Sequence, residues 1–153
     1  MMSDGVFSSR MIEEELSSNG VFASTTRGRS MEPLFRTHRD MVIIVKCEGE
    51  LKKYDVPLYR TSGGYVLHRI VGVADNVYLI RGDNTYVIER VPKSAVIGVL
   101  SEFNRKGRHH TVEERGYKIY SRVWNFLYPI RWCFFNLRRL LGRVYRFFFP
   151  RKG

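Results

Sequence analysis

Between residues 41 and 103 the chain returns again and again to short apolar runs broken by turn residues, and this rhythm restricts the fold more than any other feature. The run MVIIVK, Met41–Lys46, is β-branched and apolar, as a core strand should be. Strands are expected over 56–59, 65–73, 76–81 and 95–103, with Gly63-Gly64 and Asp75-Asn76 at turns between them. An extended segment over 21–26 precedes them. The pattern predicts a mainly β fold, a curled antiparallel sheet or partial barrel, and disfavours a nucleotide-binding α/β fold, whose strands alternate with helices. Residues 8–18 read as a short N-terminal helix, with Ser8 or Ser9 as cap, acids at 13–15 in its first turns and Asn19-Gly20 as its stop.

Charge divides the chain where hydropathy does. The net charge of +11 suggests a nucleic-acid binder, but residues 1–114 hold 16 Lys+Arg against all 15 Asp+Glu, whereas 115–153 hold ten Lys+Arg and no acid. The expected organisation is one domain, 1–114, followed by a basic aromatic tail, 115–153. A nearly neutral body argues against nucleic acid as partner. Cys47 and Cys133 have no metal-ligand spacing and imply no disulfide scaffold, which favours a reducing compartment; no cofactor or metal is expected. The start, MMSDGVFSSR, lacks the apolar core of a secretory leader.

From about Ser121 the sequence RVWNFLYPIRWCFFNLRRLLGRVYRFFF has helical length, with Pro129 as a first-turn residue or a kink. On a helical wheel Ile130, Cys133, Phe134, Leu137, Leu140, Leu141, Val144, Tyr145 and Phe148 share one face. Arg131, Arg138, Arg139, Arg143 and Arg146 group opposite, with Trp132 and Phe135 near the polar side. Spanning a bilayer would bury Arg138 and Arg139 in hydrocarbon, so a helix lying in an anionic membrane surface fits better. Docking on the domain's own core is the plainer alternative. Binding nucleic acid would use the arginines but leave the apolar face idle.

The stretch GRSMEP, 28–33, sets a lone serine, Ser30, between Arg29 and Met31. A serine hydroxyl becomes a nucleophile only when a neighbouring base takes its proton. His109 and His110 lie in the polar stretch NRKGRHHT and read as exposed loop; His38, in RTHRD, reads as surface turn. His68 differs, because it interrupts the apolar pattern YVLHRIVGV. Structural and catalytic roles are equally compatible with that position. A carboxylate that orients the base would come from Asp83, in RGDN, or Glu89, and spacing does not choose between them.

The order of these motifs resembles the type I signal peptidases, within the wider set of serine peptidases that includes the SOS-repressor autoproteases. GRSMEP is similar to their nucleophile motif, RDMVIIV to the segment after it, with Asp40 opening the strand, and IRGDN to their last signature. YVLHRIVGV resembles the endoplasmic-reticulum and sporulation-type branch, in which histidine replaces a lysine base. KKYDVPLYR resembles the Gly-Asp-hydrophobic strand, with Tyr54 in place of the usual glycine. The similarity runs over about 25–100. It implies the signal-peptidase catalytic fold, with Ser30 as nucleophile, His68 as base and Asp83 or Glu89 as the acid; the relatives usually carry Asp-Arg where this chain has Glu89-Arg90. It also implies an extended peptide or preprotein substrate paired to a strand edge, for which 21–26 is a candidate.

Three departures weigh on that expectation. The relatives often have a membrane-spanning helix just before the serine, a place the basic tail would take from the other end. Gly28 stands where some relatives have a serine or threonine that completes the oxyanion hole, leaving a backbone donor such as the Ser30 N–H. Glutamate replaces aspartate at 89. A membrane-associated serine endopeptidase, peripheral on the cytoplasmic face, is the leading expectation. A peptide-binding module without catalysis and a self-processing regulator are its rivals; His68 and the short N-terminal extension argue against the regulator.

Overall fold

The computed structural model describes residues 9–148. Helix α1, Ser9–Asn19, ends where Gly20 adopts a φ of +72° and its N–H reaches the Leu16 carbonyl at 3.1 Å, a turn-back that favours glycine. Ser9 is its first helical residue. Ser8 lies outside the described residues, as do the side chains of Phe135, Arg138, Arg139, Arg143, Val144, Tyr145, Arg146 and Phe148, all named above on the tail.

The chain then forms an antiparallel, curled sheet of six strands. In path order these are β1 (Val21–Thr25), β2 (Met41–Lys46), β8 (Val96–Arg105), β3 (Pro57–Thr61) and β4 (Gly64–Leu67), while β9 (Arg108–Thr111) pairs with the second half of β8. A second sheet of three strands, β5 (Arg69–Val73), β6 (Val77–Arg81) and β7 (Glu89–Pro92), stands beside it. Helices α2 (Arg115–Phe126) and α3 (Tyr128–Phe148) close the chain.

Two apolar clusters hold these layers. Ile12 and Leu16 of α1 pack with Val42, Ile44, Leu58, Leu100 and Phe103 in the larger one. The smaller joins Tyr59 to Ile70, Tyr78, Ile80 and Val91; Ile70 and Ile80 are fully buried, each contributing roughly 1.5–3 kcal/mol. Arg60 on β3 binds Glu13 of α1 at 2.6 and 2.7 Å, and Tyr65 donates to the same carboxylate. The Arg60 contact, with help from Tyr65, draws the Glu13 pKa down to about 2.

Two expectations change. Residues 65–73 are not one strand: β4 ends at Leu67 and β5 begins at Arg69 in the other sheet. Leu67 packs toward the larger core and Ile70 lies in the smaller, so the chain crosses between sheets at His68. NRKGRHHT is not a loop. Lys106 and Gly107, with φ of +53° and +75°, make a two-residue hairpin that folds β9 onto β8. His110 stacks on Phe103 at 5.3 Å and meets Glu114 at 2.9 Å, and His109 meets Glu102 at 2.8 Å.

Strands β1 and β4 end the path of the large sheet, and each pairs on one side only among the described residues. One runs into the loop that carries Ser30; the other runs directly into His68.

Candidate active site

The loop between β1 and β2 is built to hold Ser30 still. Its stem closes where the Thr26 N–H meets the Asp40 carbonyl at 3.1 Å. Asp40 is fully buried, and its carboxylate accepts from the Arg36 N–H at 2.8 Å and from the Arg39 side chain at 2.7 Å. Burial works against that charge, but Arg39 and the backbone donors win and lower the Asp40 pKa. Met31, Leu34 and Phe35 drive into the larger core, and Phe35 meets Phe103 edge-on at 5.3 Å. Such a ring pair adds about 0.5–1.5 kcal/mol beyond its burial. Gly28 has a φ of +78°, which accounts for glycine there, since a side chain at this position would be strained. Ser30, half-buried, sits at the mouth of the loop.

The Gly82–Asn84 segment clamps this loop from the second sheet. The Asn84 N–H donates to the Ser30 carbonyl at 2.7 Å, and its side-chain amide donates to the Arg29 carbonyl at 3.1 Å. Gly82 lies so close that a Cβ on it would stand 2.7 Å from the Ser30 carbonyl oxygen and 3.1 Å from both Cδ2 and Nε2 of His68. Only a residue without a side chain fits between them. The Cδ2–Nε2 edge of His68 therefore lies against Gly82, as does the Ser30 carbonyl, while no hydrogen bond joins Ser30 Oγ to His68 among the described residues.

The other edge of the ring faces a carboxylate. His68 Nδ1 is 3.2 Å from Glu89 Oε1 and 3.2 Å from the Tyr59 hydroxyl, while that hydroxyl donates to Glu89 Oε2 at 2.9 Å. With the carboxylate ionised, the consistent arrangement is a proton on Nδ1 donated toward Glu89, leaving Nε2 as an acceptor. Burial lowers the His68 pKa, and Glu89 opposes that shift. Tyr59, buried and beside Glu89, is pushed well above the usual phenol range by burial and by the carboxylate.

Asp83 occupies different surroundings. Arg69 binds it with Nε at 2.8 Å and Nη2 at 2.9 Å, and the Tyr120 hydroxyl donates to it at 3.0 Å. Arg69, 1 % exposed, directs Nη1 to the Tyr54 carbonyl, the Tyr117 hydroxyl and Ser121 Oγ. Burial works against the Arg69 charge, but Asp83 and Tyr117 raise its pKa. Tyr54 has a φ of +85°, which a glycine would adopt without a Cβ penalty.

Helix α2 caps this cluster. Tyr117 and Ser121 are buried under it, and Trp124 Nε1 and Arg131 Nη2 both donate to the Asp83 carbonyl, at 2.9 and 2.8 Å. Arg81 lies 3.4 Å from the Tyr128 ring centroid and donates to Asn125 at 2.8 Å. The first part of the basic segment is thus bound to the body through its polar and aromatic residues, with Pro129 in the first turn of α3.

Of the four residues singled out from sequence, His68 and Glu89 meet beside Tyr59, and the Ser30 backbone carbonyl and the His68 ring both lie against Gly82, whereas Asp83 is engaged by Arg69 and Tyr120. His38, exposed with a φ of +57°, stays at the surface. Tyr59 escapes sequence reasoning: in PLYRT it reads as another apolar strand residue, and no local signal marks its hydroxyl. Gly82 reads only as part of a turn. No protein-family model matches the sequence, and comparison with curated proteins gives no match.

Proposed function

We propose that this chain is a serine endopeptidase of signal-peptidase type, with Ser30 as nucleophile, His68 as general base and Glu89 as the carboxylate that orients the base. One observation carries the reading: His68 turns Nδ1 to Glu89 and its Nε2 edge to Gly82, against which the Ser30 backbone also lies, the division of labour a nucleophile–base–acid relay needs. Burial favours a neutral imidazole near neutral pH, the form that accepts a proton. Asp83, saturated by Arg69 and Tyr120, serves to fix the Gly82–Asn84 clamp.

In this mechanism His68 Nε2 takes the Ser30 hydroxyl proton as Oγ attacks a peptide carbonyl. Glu89 stabilises the imidazolium, with the Tyr59 hydroxyl holding its second oxygen. The Ser30 N–H, which makes no hydrogen bond among the described residues, is the backbone donor for the oxyanion. Protonated His68 gives its proton to the leaving amine, and water resolves the acyl-enzyme. The one-sided strands β1 and β4 lead to Ser30 and His68 respectively, which supports an extended substrate paired to a strand edge.

The test is cleavage of signal-type peptides by the full chain in the presence of anionic vesicles, followed by mass spectrometry. Ser30→Ala and His68→Ala should each reduce kcat/KM by at least ~10⁴-fold while the fold persists. Equal cleavage by wild type and Ser30→Ala, or none by folded wild type, would overturn the reading.

A further inference from the structure

Helix α2 has a second face that the body leaves uncovered. Residues 117, 121 and 124 point into the Arg69–Asp83 cluster, but Ile119, Val123 and Phe126 point away, and Phe126 is 78 % exposed. Past the break at Leu127 the same spacing of three and four continues through Ile130, Phe134, Leu137 and Leu141, all more than half exposed. One apolar stripe therefore begins on the folded body and runs out along α3. A helix that satisfies its core with one face and leaves another apolar needs a second apolar phase.

Charge selects that phase. From residue 115 onward the chain has ten Lys+Arg and no acid, so a second copy laid on this stripe would bring like charges together. Cations from the body join them: Lys52 and Lys53 line a cleft of about 180 Å³ against α2, together with Lys118 and Arg122. Its two acids are already engaged, Asp55 by the Lys52 N–H at 2.8 Å and Glu113 by Lys118 at 2.5 Å. An apolar stripe flanked by cations on one side of a helix fits the interface of an anionic bilayer. Among the described residues no helix is long and apolar enough to cross a membrane.

We infer that α2 and α3 form one continuous seat on an anionic lipid surface, and that α2, gripping the Asp83 loop with its opposite face, fixes the Ser30–His68 site at a set height above that surface. The tail alone would tether the domain loosely. A stripe starting at Ile119 holds the body itself against the lipid, so peptide bonds close to the membrane surface are presented to the site. This inference rests on the membrane reading of the basic segment, and its test is independent of cleavage.

Binding of the full chain carrying Ser30→Ala to vesicles is measured by sedimentation, for phosphatidylcholine alone and for phosphatidylcholine with phosphatidylglycerol. With the stripe intact, binding should require the anionic lipid. The combined change Ile119→Ser, Val123→Ser, Phe126→Ser should weaken it by about tenfold or more, with thermal unfolding unchanged. Separately, the emission that Phe126→Trp adds to a Trp132→Phe background, taken as the difference from that background with Trp124 alone, should shift to the blue with anionic vesicles and be quenched by headgroup-labelled nitroxide lipids, a readout that holds even if the triple variant misfolds. Unaltered affinity in a folded triple variant, equal binding to neutral vesicles, or unquenched emission from the Phe126→Trp variant would each overturn the inference. So would a lipid-free dimer dispersed by the triple change, or a nucleic-acid complex that competes with vesicles for the stripe.

Discussion

Two carboxylates six residues apart in this chain meet opposite fates. Asp83 is buried, and a guanidinium, a phenol, an indole and a second arginine converge on it and on its carbonyl. Glu89 keeps 38 % of its side chain exposed and, among the described residues, hydrogen-bonds a phenol and an imidazole. The first arrangement commits every acceptor to structure and leaves no freedom to move a proton. The second leaves a carboxylate that responds to the charge on His68. Saturation makes an anchor, and partial exposure makes a partner for chemistry.

The comparison breaks most readily at the anchor. Asp83→Asn keeps the shape but strands the buried Arg69 guanidinium without a counter-charge, which should cost about 3–5 kcal/mol of folding stability. Urea unfolding of the two variants side by side gives the measure, because Glu89→Gln, at a partly exposed site, should cost under about 1 kcal/mol. If Glu89→Gln proved the more destabilising of the two, the assignment of anchor and partner would be reversed.

Activity should show the opposite ranking at Glu89. Glu89→Gln should lower kcat/KM on the order of 10²-fold, short of the ~10⁴ seen for a fully buried triad acid, because the Tyr59 oxygen still lies beside Nδ1. The pH profile sharpens the point. The proposed mechanism needs neutral His68, whose pKa burial already holds below its ordinary value while Glu89 pulls it back up. Without the carboxylate the pKa falls further, so the acid limb of kcat/KM should move to lower pH even as the plateau drops. A limb that stayed in place would mean that Glu89 does not act through His68. Stability follows from the same depressed pKa: below the unfolded value near 6.5 the unfolded chain binds more protons, so this residue's contribution is lost as pH falls.

How much of this was legible in sequence depended on whether the signal was local. MVIIVK announced β2 because a β-branched apolar run has few other uses, and Asn19-Gly20 marked the end of α1 because only a positive φ turns the chain there. The split at His68 was hidden, since YVLHRIVGV has the same apolar texture on both sides and the change of sheet is set by which core each half reaches. β9 was hidden because its two histidines look solvated until His109 is seen paired with Glu102 across the hairpin and His110 with Glu114 just beyond the strand. At the site, Ser30 and His68 stood out by type and context. The proposed choice of Glu89 over Asp83 rests on Arg69 and Tyr59, residues whose partners lie 14 and 30 positions away. Helix α2 read as the lead-in to a tail because its docking uses tyrosine, serine and tryptophan rather than an apolar stripe.

The smallest effect tests the least expected member of the site. Tyr59→Phe removes one donor to Glu89 Oε2 while the ring goes on filling the smaller core, so stability should fall by only about 1 kcal/mol. Water reaches the exposed side of Glu89 and replaces part of that bond, so kcat should drop by roughly three- to tenfold with KM little changed. Packing alone would produce a similar single-variant loss, and a double-mutant cycle separates the two. If the hydroxyl works by holding Glu89, its removal should matter less once Glu89→Gln has taken away the charge it holds, giving a coupling of about 0.5–1 kcal/mol in kcat. Strict additivity of the two changes would make Tyr59 a core residue that happens to end near the histidine.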